Sequence, residues 1–275
     1  ETSFEYGVEV TVQDADGNRF SSYWWDATPM LKDLNIKDCG EIAFKRAMSQ
    51  IGPVKIESGK YSMVIESEVA SRLVTPVLNA LGGYSLQQKN SFMLDSLGKK
   101  MFPEWLNIWD RPVSVGETGS RLFDSEGVAT AEMPIVENGV VKEYFVNTYM
   151  SRKMGVEATV EDATRPVVLP CFAPSVAEPV EATCGKEELM RIVGEGILVT
   201  GFNGGNSNSA TGDFSFGVEG FLFKDGKIVH PVREMLITGN LLTLWNNLLA
   251  AGNDARFCKS KLIPTLAFGN VDFSA

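Results

Sequence analysis

One histidine stands in 275 residues, and that scarcity removes several chemistries at once. A zinc-protease helix needs two histidines one turn apart to hold the metal on one face, and His230 cannot supply both. A Ser-His-Asp triad would have to be built on His230, in Val229-His230-Pro231-Val232, yet no Gly-x-Ser-x-Gly elbow supplies its serine. The plainer reading of His230 is structural. Cysteine is also scarce. Cys39, Cys171, Cys184 and Cys258 form no Cys-x-x-Cys pair and no metal-ligand spacing. They read as small buried hydrophobes in a reducing, cytoplasmic compartment. Basic residues number 25 against 35 acidic ones, a net charge of −10. With no Lys/Arg-rich run, direct nucleic-acid binding is not expected. Nor is there an apolar run of about 18 residues, so no membrane span is expected. The longest candidate, 235–251, is broken by Thr238, Gly239, Asn240, Thr243, Asn246 and Asn247.

What remains is an ordinary globular composition, 44% hydrophobic and 22% charged. A chain of this length buries roughly 75% of its unfolded surface and needs no disulfides for a core. Phe4, Tyr6, Val8, Val10 and Val12 alternate as a strand with one buried face. A turn at 14–18 returns the chain through a second strand, 19–25. Asp38-Cys39-Gly40-Glu41 has the form of a capping box, opening a helix with Ala43, Ala47 and Ile51 on one face and an end near Gly52-Pro53. Residues 61–65 read as a strand. Ser67 is placed to cap a helix running to Leu81, with Pro76 inside it predicting a kink or a late start, and Gly82-Gly83 ending it. The stretch 90–97 is ambiguous, and 103–112 reads as an irregular strand.

Two hairpins are centred on Asn138-Gly139, between 133–136 and 140–146, and on Asp225-Gly226, between 221–223 and 227–229. The stretch 165–179, with four prolines, reads as extended connector and edge strand. A short helix is expected at 187–193. A longer one is expected at 241–250, capped by Asn240 and closed by Gly252. The chain returns to strand over 262–273. Strands and helices mix without a βαβ rhythm, and neighbouring strands pair through tight turns. The expected fold class is α+β with a largely antiparallel β-sheet and packed helices.

One segment stands apart. Residues 201–209, Gly-Phe-Asn-Gly-Gly-Asn-Ser-Asn-Ser, read as a long irregular loop, and it feeds a buried strand beginning at Thr211-Gly212-Asp213-Phe214-Ser215. Its glycines do not make a phosphate-binding loop, because the Gly-Lys-Ser/Thr ending is missing. Two carboxylate pairs, Asp124 with Glu126 and Asp213 with Glu219, would serve acid–base chemistry if folding brought either together. Solvated or turn-forming carboxylates are commoner.

Thr211-Gly212-Asp213-Phe214-Ser215, Gly217, Gly220, Lys224-Asp225-Gly226-Lys227-Ile228, Pro231-Val232, Gly239-Asn240-Leu241 and Gly252-Asn253-Asp254 resemble the C-terminal pattern of the TldD/PmbA family. Phe123-Asp124-Ser125-Glu126-Gly127 and Val136-Glu137-Asn138-Gly139-Val140 extend the likeness over most of the chain. The resemblance implies a TldD/PmbA-type C-terminal region at 61–275, with 1–60 the end of an N-terminal domain's sheet and helix. The chain opens on a strand pattern at Glu1 rather than on Met, so more of that domain is expected upstream. It also implies two subunit types. TldD-like subunits carry a His-Glu-x-x-x-His helix and a later cysteine as zinc ligands, and act as metalloproteases on unfolded peptides. PmbA-like subunits, also called TldE, lack the histidines and pair with them. Here the corresponding segment near Val69–Leu81 has no histidine, and Cys258, near the family's late cysteine, is read as a remnant or a buried thiol. The expectation is a non-catalytic subunit that needs no cofactor, with zinc only in a TldD-like partner. The partner would be that subunit or a second copy. Members of the family are labelled modulators of DNA gyrase; the acidic charge gives no support for direct DNA contact, and the label is read as an indirect effect or a historical name. The expected peptide-binding residues are Thr211, Gly212, Asp213, Phe214, Ser215 and Gly217, weighed equally against a structural corner. Two rival readings stand beside this one. They are a homodimeric peptide-binding scaffold without a protease partner and a metal-independent hydrolase using Asp124, Glu126, Asp213 or Glu219.

Overall fold

The computed structural model describes residues 2–176 and 184–275. The chain begins with an antiparallel hairpin, β1 (Phe4–Gln13) and β2 (Arg19–Thr28), followed by α1 (Cys39–Met48). The Asp14 carboxylate accepts the backbone N–H groups of Asp16 and Asn18 and fixes the hairpin turn. Cys39, Ala43 and Ala47 are the buried stripe of α1. The capping box does not form. Asp38 is helical itself, at φ −102° and ψ −7°, and its side chain accepts no capping bond, whereas an N-cap acts from extended backbone.

Next come β3 (Gly59–Ile65), α2 (Ser71–Ala80), α3 (Gly83–Gln87), β4 (Ile108–Asp110), β5 (Met133–Glu137), β6 (Val140–Val141) and α4 (Thr148–Met154). The chain continues through β7 (Pro166–Val168), β8 (Cys171–Phe172), α5 (Lys186–Val193), β9 (Gly196–Ser207), β10 (Asp213–Lys224) and β11 (Lys227–Asn240). It ends with α6 (Leu241–Asn246), β12 (Leu248–Ala251) and β13 (Leu266–Ser274). The principal sheet has the order β11-β10-β9-β3-β13-β12-β8. Because Leu236–Thr238 also pair with Asp272–Ser274, strands β11, β10, β9, β3 and β13 close into a ring. The β3–β9 pair is parallel and the other strand pairs are antiparallel, so the α+β, largely antiparallel fold class holds. A second sheet, β6-β5-β4-β7, carries the Asn138-Gly139 hairpin. Both residues of each predicted turn pair have positive φ, 51° and 76° at Asn138-Gly139 and 50° and 70° at Asp225-Gly226, as a type I′ turn requires.

Strand periodicity divides the interior. Met63, Ile65, Ile197 and Val199 enter the large core with Trp245 and Phe216. Val64 and Leu198, between them in sequence, point the other way and pack with Phe221, Phe223 and the α5 residues Leu189 and Met190.

Several elements differ from the sequence reading. Residues 201–207 are strand, not loop, paired with β10 along their length. Their glycines permit this: a Cβ on Gly205 would lie 2.1 Å from the Ser215 carbonyl oxygen. The helix expected from Ser67 starts at Ser71, and Ser67–Ala70 form turns bonded to the Glu66 carbonyl. Residues 241–250 are a short helix followed by a strand. The stripe Leu241, Leu244, Trp245, Leu248 is buried in both states, so its spacing did not discriminate. Only Ile108–Asp110 of 103–112 and only Val140–Val141 of 140–146 are strand, and the last strand begins at Leu266 rather than 262. The extended connector predicted for 165–179 is seen in β7 and β8, while residues 177–179 lie outside the described residues.

Candidate functional site

A cleft of about 560 Å³ opens where the β1–β2–α1 unit faces the outer side of the principal sheet. Tyr23, Trp25 and Arg46 wall it on one side, and Leu198, Phe221 and His230 on the other. At its end lies the turn Glu66–Ala70 that leads into α2. Glu66 and Glu68, on that turn, are both held by cations. The Arg46 guanidinium donates to both Glu66 oxygens at 3.1 and 2.7 Å, and the Lys186 ammonium donates at 2.7 Å. Arg256 donates to Glu68 at 2.6 Å, with Lys259 3.0 Å from its other oxygen. Lys259 also donates to the Glu68 carbonyl at 2.7 Å, tying the turn's backbone into the same cluster. Burial works to raise the Glu66 carboxyl, but the Arg46 bonds and the Lys186 charge outweigh it and hold the group below its ordinary value.

Neither His230 nor Cys258 joins this cluster through a bond. His230 lies on β11 with Nδ1 3.2 Å from the Pro231 carbonyl oxygen. Cys258 is buried, and desolvation pushes its thiol up, away from the thiolate that binds metals. Among the described residues, no group of three or more His, Cys, Asp or Glu side chains is placed to hold a metal ion.

The six residues singled out in the sequence fall into two environments. Thr211, Gly212 and Asp213 make a tight corner. The Thr211 hydroxyl donates to Asp213 at 2.7 Å, and Asn240 Nδ2 donates to the Thr211 carbonyl and to Asp213 at 2.8 and 3.0 Å. These bonds, Asn240's first, lower the Asp213 carboxyl. The Asn240 side-chain oxygen meanwhile accepts the Leu242 N–H and caps α6. Phe214 is buried and stacked on Phe216 at 5.3 Å. Ser215 is exposed, and a Cβ on Gly217 would meet the Asn203 side chain at 2.1 Å. The two-residue period of β10 puts Asp213, Ser215, Gly217, Glu219 and Phe221 on one face, and the last two line the cleft.

The two carboxylate pairs do not behave as acid–base pairs. Asp124 accepts N–H groups from Glu126, Val128 and Glu161, while Glu126 accepts the Thr148 N–H and hydroxyl at the start of α4. Asp213 is bonded into the corner, and Glu219 faces Arg233 at 3.7 Å. Sequence reasoning missed the Arg46–Glu66–Lys186 and Arg256–Glu68–Lys259 cluster because its members come from four separate parts of the chain. The available signal was the pair of carboxylates, Glu66 and Glu68, set directly after the apolar run Met63-Val64-Ile65.

Comparison with known proteins gives a consistent result. The model of the PmbA/TldA metallopeptidase C-terminal domain matches residues 58–275. The Metalloprotease PmbA of Escherichia coli O157:H7 is 30% identical over 263 residues, covering 93% of this chain and 56% of its own length. The Metalloprotease PmbA homolog of Haemophilus influenzae is 35% identical, covering 78% of this chain and 46% of its own. The chain thus spans about half the length of these relatives. A Bacteroides thetaiotaomicron crystal structure named as a modulator of DNA gyrase superposes with a TM-score of 0.93 at 42% identity, over 99% of this chain and 60% of the other. TldE from Thermococcus kodakarensis shares the fold, with a TM-score of 0.85 at 20% identity, over 99% of this chain and 63% of the other.

Proposed function

The chain belongs to the PmbA/TldD family, and we propose that within it the protein is a non-catalytic, PmbA/TldE-like subunit of a cytoplasmic metalloprotease complex acting on unfolded peptides. The observation that carries this reading is the cation cluster on the turn before α2. Glu66 and Glu68 are the carboxylates nearest the cleft end, and each is bonded to two side-chain cations. A metal ion there would have to displace Arg46 and Lys186, or Arg256 and Lys259, against like charge. His230 and a protonated Cys258 supply no thiolate–imidazole set to help. The residues present therefore do not fit zinc. The zinc of the complex would sit in a TldD-like partner, and this subunit would complete the peptide-enclosing chamber.

The peptide path of this reading runs from the cleft along the outer face of β10. Phe221 and Glu219 form its cleft end. Gly217 makes room for the Asn203 side chain, which covers it, and Ser215 offers a hydroxyl. Thr211, Gly212 and Asp213 hold the corner at its far end, with Phe214 anchoring the strand beneath. Because β10 is hydrogen-bonded to β9 and β11 on its two edges, an extended chain on this face would meet side chains such as Ser215 and Glu219 rather than add as a strand.

The first test is elemental mass spectrometry of the full-length protein purified alone without chelator. The expected result is no stoichiometric zinc. About one tightly held metal per chain, the load of a dedicated site, would overturn the non-catalytic assignment.

A further inference from the structure

The β1–β2–α1 unit is attached to the rest of the molecule in an unusual way. Among the described residues its strands pair with each other and with no strand of the main body. Its buried side chains, Phe20, Ala27, Cys39, Ala43 and Ala47, belong to neither hydrophobic core cluster. Among the described residues, no backbone-to-backbone hydrogen bond joins residues 2–48 to the main body. The joint consists of charged groups on aromatic rings. Arg256, from the loop before β13, lies over Trp24 at 4.3 Å and Trp25 at 5.4 Å, donates to the Trp25 carbonyl, and stands 3.9 Å from Asp26. Lys259 is 6.0 Å from the Trp25 ring and Arg233 lies 5.1 Å over Phe20. In the opposite direction, Arg46 of α1 reaches Glu66. The connecting segment, 49–58, is tied to β11 by one bond, Val54 N–H to the Pro231 carbonyl at 2.9 Å. It also contains Gly52 at φ 75°.

We infer that the β1–β2–α1 unit is a lid on the cleft, pivoting near Val54 and latched by Arg256 between the Trp24 and Trp25 rings. An apolar interface resists sliding because separation exposes hydrophobic area to water. Guanidinium–ring and ion-pair contacts are electrostatic, are replaceable by water and counterions, and weaken with salt. The lid carries one whole wall of the cleft, with Tyr23, Trp25 and Arg46, while the opposite wall stays with the principal sheet. Release of Arg256, together with the Arg46–Glu66 pair, therefore widens the cleft without disturbing β9, β10 or β11. Arg256 also holds Glu68, so the latch and the cleft-end cluster share one side chain.

This inference rests on the peptide-cleft reading for its purpose but not for its test, which reads a distance and not binding. Spin labels are placed on full-length protein at the two exposed turn tips, Asp16→Cys on the lid and Asp225→Cys on the β10–β11 hairpin. Their separation is measured by pulsed electron resonance at low salt, in 1 M salt, and with Arg256→Gln. The expected result is one narrow distance at low salt and an added longer, broader population in 1 M salt and in the Arg256→Gln protein. Hydrogen exchange should rise in 4–48 while 196–240 stays protected. A single distance unchanged by salt and by the substitution overturns the lid. If Arg256→Gln loses protection throughout the sheet, the salt series on the otherwise unaltered protein decides: a second distance supports the lid, and an unchanged one refutes it.

Discussion

Glu66 shows how one residue couples folding to the site. It is only 5% exposed and accepts three charge-assisted bonds. Its carboxyl is depressed in the folded protein, because the cation bonds outweigh burial. A depressed carboxyl contributes its full stability above the unfolded value, ordinarily 4.5, and loses it as pH falls through the lower folded value. Glu66→Gln keeps the shape and removes the charge. It leaves Arg46 and Lys186 facing each other, although both are part-exposed and can turn to water. The expected cost at pH 7 lies at the lower end of the ~3–5 kcal/mol for breaking a buried pair. The gap between variant and parent should narrow as pH falls below 4.5. Urea denaturation at pH 7 and at acid pH checks both statements, and equal stability at pH 7 would mean the cluster contributes nothing to folding. Glu66 was visible in sequence only as a charge after an apolar strand. Its partners lie 20 and 120 residues away, and no local rule selects them.

At the scale of elements, local chemistry was legible where it is self-contained. The first hairpin and the two type I′ turns follow from alternation and turn residues, and the Asn240 cap from its place before an apolar stripe. Legibility failed where long-range pairing decides. The Gly/Asn/Ser segment has poor intrinsic strand preference, yet β10 supplies partners throughout and tertiary pairing prevails. The same holds for Leu248–Ala251, drawn out of the helical stripe by β13 and β8. The corner at Thr211–Asp213 was legible as a motif, but its link to α6 through Asn240 was not. That link separates two roles. Asn240→Ala removes the cap and the corner's anchor together, so a stability loss of about 1 kcal/mol is expected by denaturant titration. Ser215→Trp projects from the exposed face and should leave stability within about 0.5 kcal/mol while lowering peptide turnover by the assembled complex. Unchanged turnover in Ser215→Trp, Thr211→Ala and Asp213→Ala proteins that fold normally would take this segment out of the peptide path.

For the whole molecule, the proposed reading has the cleft lend walls and charge to a complex. The carboxylates that local spacing brought together, Asp124 with Glu126, are occupied by backbone and hydroxyl donors. Those at the cleft end are bonded to cations. In the proposed complex the reactive group arrives on the partner's surface. Peptide hydrolysis should therefore be absent from the full-length protein alone. It should appear when a histidine-bearing TldD-like relative is added, rising at least about tenfold over that relative alone, or 1.4 kcal/mol in barrier terms, and saturating at a fixed stoichiometry. Fluorogenic unfolded peptides, titrated with and without chelator, measure this directly. Chelator should abolish the activity of the mixture. Hydrolysis by this chain alone in the presence of chelator would move the chemistry to its carboxylates, with Glu219 at the cleft floor the first residue to change. A mixture no faster than the relative by itself would leave a peptide-binding scaffold, and a self-associating full-length protein in sedimentation would then identify the second copy as its partner.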